Sequence, residues 1–221
     1  SVYNGSITYQ NKDSIVVNWN GKDSGSITLT ETNNEGCDTT VQEAIHIEPK
    51  PAPMISGKDT VCEYRGMYSY STSGEMGHTY SWSVYNGSIT YQKKDSIVVN
   101  WSGKDTGSIT LTETNNEGCD TTVQEAIHIE PKPAPMISGQ DTVCEYRGSY
   151  SYNTRGETGH SYSWSVYNGS ITYQNKDSIV VNWHGKDTGA ITLTETNNEG
   201  SDTTVKVPMN IEPKPAPLIS G

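Results

Sequence analysis

Phenylalanine is absent from the 221-residue chain, and no apolar run approaches the length of a membrane-spanning segment, so membrane insertion is not expected. Basic residues are few, 15 Lys and Arg against 26 Asp and Glu, giving a formal net charge of −11. Nucleic-acid backbones release their counterions to basic surfaces, so this balance argues against such a partner and favours solubility. No basic-then-apolar leader stands at the N-terminus. Cysteines number four, without the close spacing of a zinc ligand set, and the loop carboxylates form no dense Asp-x-Asp-x-Asp run for calcium. The five histidines are scattered, two of them changing between copies of a repeat, and no serine sits in a glycine elbow. No catalytic residue, metal or cofactor is therefore expected.

Proline, too, is missing from most of the chain. Of ten prolines, all but Pro208 lie in three segments beginning at Glu48, Glu130 and Glu212. Pro49, Pro51 and Pro53 recur as Pro131, Pro133 and Pro135, and alternating prolines favour an extended polyproline II path. Such a segment is a semi-rigid linker or the lead-in to a first strand. Between these segments the chain repeats itself without a gap, Pro51 returning as Pro133, 82 positions on. Residues 1–50 are then the C-terminal half of one unit, 51–132 and 133–214 are complete units, and 215–221 start another.

Within 51–132 the period is two, never 3.6. Met54-Ile55 and Thr60 to Cys62 read as two pieces of one edge strand, and Met67 to Ser71 as the next. Thr79 to Val84 puts Tyr80, Trp82 and Val84 on one face. Asn86-Gly87 is a two-residue hairpin signal leading to Ser88–Tyr91. Ser96 to Trp101 buries Ile97, Val99 and Trp101, and Ser108 to Thr114 buries Ile109 and Leu111 while presenting a threonine row. The last strand runs from Thr121 to Ile129, and Pro208 in its later copy places it at a sheet edge. Seven or eight short strands predict an all-β fold of tandem immunoglobulin-like antiparallel β-sandwiches joined by proline-rich linkers, with Tyr80, Trp82 and Trp101 in the core.

The order Val61-Cys62, Tyr80-Ser81-Trp82-Ser83-Val84, Val98-Val99-Asn100-Trp101, Thr112-Glu113-Thr114-Asn115 and Gly118-Cys119 resembles the PKD-like, immunoglobulin-like repeats of very large secreted adhesins and gliding-motility proteins of Bacteroidota. The likeness runs the length of the chain. It implies an exported, cell-surface stalk or adhesin module.

Two cysteine pairings are open. Cys62 with Cys119 would staple one unit, closing a loop worth roughly 4 kcal/mol in the chain-entropy model. Cys37 with Cys62 and Cys119 with Cys144 would instead tie unit to unit. Ser201 stands where the third unit's second cysteine is expected. The recurring Asp-Ser/Thr-apolar and Asp-Thr-Thr tripeptides look like the O-glycosylation acceptor of the same bacterial phylum, which would put sugars on Ser14, Thr39, Thr60, Ser96, Thr121, Thr142, Ser178 and Thr203. Equally, Asp followed by Ser or Thr starts strands after turns.

Three functions fit these features. A structural repeat of a long extracellular fibre or adhesin stalk would supply reach, since reach scales with copy number. A low-affinity array would use Tyr85 and the threonine row to meet surface carbohydrate, gaining avidity from repetition. Chains pairing through edges or faces with neighbouring copies or other surface components would, third, build a filament.

Overall fold

The computed structural model describes every residue except 21–22, 185–186, 216 and 218–221. Of the expected fragment 215–221, only Pro215 and Pro217 fall within the described residues. The partial first unit contains β1 (Val2–Tyr3), β2 (Gly5–Gln10), β3 (Ile15–Trp19), β4 (Asp23–Thr32) and β5 (Asp38–Ile47). The second contains β6 (Thr60–Cys62), β7 (Met67–Ser71), β8 (Thr79–Tyr85), β9 (Gly87–Gln92), β10 (Ser96–Trp101), β11 (Asp105–Thr114) and β12 (Asp120–Glu130). The third repeats it as β13 (Thr142–Cys144), β14 (Ser149–Asn153), β15 (Ser161–Tyr167), β16 (Gly169–Gln174), β17 (Ser178–Trp183), β18 (Asp187–Thr196) and β19 (Asp202–Glu212).

Each complete unit is a sandwich of a four-stranded sheet, ordered β6-β12-β11-β8 in the second unit, and a three-stranded sheet ordered β7-β10-β9. The period-two pattern explains the layers, because alternate side chains of facing strands meet between the sheets. Val61, Tyr70, Trp82, Ile97, Val99, Trp101, Ile109, Leu111, Ile127 and Ile129 form the second unit's core. The expected Trp82 and Trp101 are there, while Tyr80 packs half-buried at its margin. Tyr70 was not expected. Its ring meets Trp101 edge-on, centroids 6.1 Å apart, and its hydroxyl accepts the Trp101 indole N–H at 3.1 Å. That bond satisfies a polar group the core would otherwise strand.

Three local expectations change. Asn86-Gly87 is not a hairpin turn, because β8 pairs with β11 whereas β9 pairs with β10. It is a corner that carries the chain from one sheet to the other. Asn86 takes a left-handed φ of 58°, its carbonyl accepts Ser102 N–H and Gly103 N–H, and its side-chain amide donates to Thr106 O at 2.8 Å. The first-strand pieces also separate, Ser56 bridging Ser71 in the smaller sheet while β6 joins the larger one. That β6–β12 pair is parallel, so the sandwich is not wholly antiparallel.

Pro208 sits on β19, one strand in from the edge, yet β13 pairs only with Asn210–Glu212, so β19 is open on that side at the proline. The ring therefore removes no bond to a neighbour there. The partial first unit keeps the same strand pairings but lacks counterparts of β6, β7 and most of β8. Leu29, in the place of the fully buried Leu111, is consequently 61% exposed.

Candidate functional site: the junction between repeats

The five-residue turn after β11 is built around one asparagine. Asn115 Oδ1 accepts Glu117 N–H at 3.1 Å and Cys119 N–H at 2.8 Å, and Gly118 takes a φ of +80° to close the turn. Asn115 Nδ2 donates to Pro49 O at 3.0 Å, and Asn197 Nδ2 makes the same 3.0 Å bond to Pro131 O. The late turns of the second and third units thus rest on the proline segments that precede those units.

Proline fixes its own φ, which holds the backbone at this acceptor in one conformation. Pro49 and Pro131 are exposed, whereas Pro51, Pro53, Pro133 and Pro135 are buried against the unit that follows them. Between the expected spacer and the strand lead-in, the structure shows the lead-in. Glu130 ends β12 and Pro133 is already packed.

The second and third units touch more widely. Lys58 pairs with Glu199, the Arg65 guanidinium donates to Glu199 O, and Cys62 Sγ lies 3.8 Å from Asn197 Oδ1. The turn's burial tracks what precedes it. Asn33 and Cys37 are exposed, Asn115 is buried with Cys119 half-buried, and Asn197 and Ser201 are both buried. At the first junction a groove of about 680 Å³, lined by residues including Trp19, Glu48, Pro49, Glu117 and Cys119, occupies the position that β6 and its neighbours fill at the second.

The cysteines do not fall as either pairing requires. Cys62 is in register with Glu130, at one end of β12, and Cys119 precedes Asp120 at the other. Ten residues of extended strand hold them roughly 33 Å apart, far beyond the reach of a disulfide. Cys37 lies on a turn at the end of β5 away from the junction, so it does not approach Cys62 either. All four are free thiols.

The expected glycosylation positions stand at or beside strand starts. Ser14, Thr39 and Thr142 are exposed, while Thr60, Ser96, Thr121, Ser178 and Thr203 are half-buried. Thr60 and Thr142 hydroxyls each turn back to the preceding aspartate at 3.3 Å.

Scattered in sequence, two histidines enter matched polar clusters that period-two reasoning missed. His78 Nδ1 lies 2.7 Å from Glu113 Oε1, which also accepts the Tyr80 hydroxyl at 2.9 Å. His160, Glu195 and Tyr162 repeat the arrangement. Glu75, His78 and Glu113 hold donor atoms within 4.8 Å of one another, as do Glu157, His160 and Glu195, so each trio has the chemistry to hold a cation. Each buried carboxylate already has two hydrogen-bond partners, which satisfies it without one. The 82-residue coincidence of the His and Glu positions was the available signal. Burial of a glutamate at an inward strand position was not readable.

The PKD-like domain family matches residues 48–129 and 130–209. No curated protein matches the chain. Among solved structures, murine CEACAM1b is 13% identical with a TM-score of 0.33, the match covering 72% of this chain and 100% of that one. The human desmocollin-1 ectodomain is 11% identical with a TM-score of 0.36, over 98% of this chain and 50% of that one. The fibronectin(III)-like modules of Clostridium thermocellum CbhA are 9% identical with a TM-score of 0.31, over 72% and 95%.

Proposed function

Since the chain belongs to the PKD-like domain family, as tandem units, we propose that it is a structural repeat of an extracellular fibre or adhesin stalk that provides reach and mechanical continuity. The observation that carries this reading is the junction bond repeated without change, Asn115 to Pro49 and Asn197 to Pro131. A turn that docks the same way at successive levels propagates one geometry along an array. With the inner prolines packed, little free chain is left at a junction to act as a hinge. The reading assigns the protein no reaction. Its test is the stiffness of the junction, measured as the spread of distances between neighbouring units; a loose tether gives a broad spread and overturns it.

A second reading has its own support. The outer face of the larger sheet presents Ser81, Ser83 and Tyr85 of β8 beside Thr110 and Thr112 of β11, a hydroxyl-rich surface ending in an aromatic ring. Tyr85 and Tyr167 are 65% and 64% exposed, so the ring recurs with every unit. That combination suits weak contact with surface carbohydrate, strengthened by avidity. Titration of the chain with soluble polysaccharide, followed by NMR, tests it. Shifts centred on Tyr85 that vanish in Tyr85→Ala are expected, and an unchanged spectrum removes the reading.

A further inference from the structure

We propose that the first-strand position of one unit and the late-turn position of the next form a disulfide site between repeats, occupied in this chain by Cys62 and Ser201 and left unclosed by the serine. The inference stands on the junction geometry alone and does not depend on what the array does.

The positions meet at a single atom. Asn197 Oδ1 accepts Ser201 N–H at 2.8 Å and has Cys62 Sγ 3.8 Å away. Cys62 is 0% exposed and Ser201 is 2% exposed, although they belong to different units and lie 139 positions apart. The Ser201 hydroxyl is buried without a hydrogen-bond partner. A stranded hydroxyl costs stability, whereas a sulfur there would sit without that penalty. Ser201 corresponds to Cys119 in the second unit and Cys37 in the first.

Register accounts for every thiol. Cys37 and Cys119 are late-turn cysteines, and this sequence holds no first-strand position one unit before either. Cys144 is a first-strand cysteine, and this sequence holds no late turn one unit after it. Cys62 alone has its partner position inside the chain, and a serine fills it. Its counterpart Cys144, with no following turn upon it, is half-buried where Cys62 is fully covered.

Bond formation joins two sulfurs and removes two protons and two electrons. A small-molecule disulfide such as oxidised glutathione accepts them and leaves as two thiols.

The experiment is Ser201→Cys in the full chain, oxidised with glutathione disulfide at low protein concentration. Thiol counting in denaturant is expected to fall from five to three, with peptide mapping linking Cys62 to the new cysteine, while the parent chain keeps four. Five remaining thiols, or a link from the new cysteine to Cys119 or Cys144, would overturn the proposal. Should the variant not fold, maleimide labelling of the native parent chain decides. Cys62 is expected to react many-fold more slowly than Cys144, and equal rates overturn the docking on which the pairing depends.

Discussion

At the scale of single residues, the core owes its form to a polar pair inside an apolar layer. Tyr70 was invisible to the pattern because Tyr68 and Tyr70 share one face of β7 and look alike, though only Tyr70 is fully buried. Which one reaches Trp101 depends on the partner strand, set by Ile97 opposite Tyr70. Burial pushes the Tyr70 hydroxyl up to about 12, partly opposed by its bond to Trp101. Because the folded pKa lies above the usual 10.0, the neutral phenol contributes stability that is whole below pH 10 and is lost as pH rises through about 12. Spectrophotometric titration is expected to show a late phenol ionisation coupled to unfolding. In Tyr70→Phe that late coupling should weaken. Absence of a late phenol ionisation coupled to unfolding, or an unchanged coupling in Tyr70→Phe, would contradict the account.

At the scale of strands, most of the second unit was legible, since the two-residue period fixed both β10 and β11 to the correct face. What was not legible was which strand pairs with which. Asn-Gly signals a reversal of the backbone, but only tertiary packing decides whether the returning strand stays in the sheet or crosses to the other. Cys62 and Cys119 were misjudged for the same reason, because the parallel β6–β12 pairing was not deducible from their spacing. The nearly identical β4 and β11 offer a control within one chain. Leu111→Ala is expected to cost about 2–5 kcal/mol, because it leaves a cavity in a closed core. Leu29→Ala should stay within about 0.5 kcal/mol, its side chain being mostly exposed already. Urea denaturation followed by tryptophan fluorescence would measure both, and equal losses would show that the first unit is closed in solution.

At the scale of the molecule, the sequence disclosed the repeat and its 82-residue period but placed the proline segments ambiguously between spacer and lead-in. The choice turned on burial, which depends on contacts from strands far away in sequence. It also turned on Asn115 and Asn197, which fill an ordinary turn role through Oδ1 while their side-chain amides donate to the preceding proline carbonyls. The central claim is that these bonds hold neighbouring units in one fixed relation. Spin labels at Lys93→Cys and Asn175→Cys, exposed and equivalent in the second and third units, can be placed in a chain whose native cysteines are replaced by serine. Double electron–electron resonance then reads the distance between them directly. The account predicts one narrow distance distribution that broadens in Asn197→Ala; a distribution already broad in the parent, and unchanged by that substitution, would contradict it.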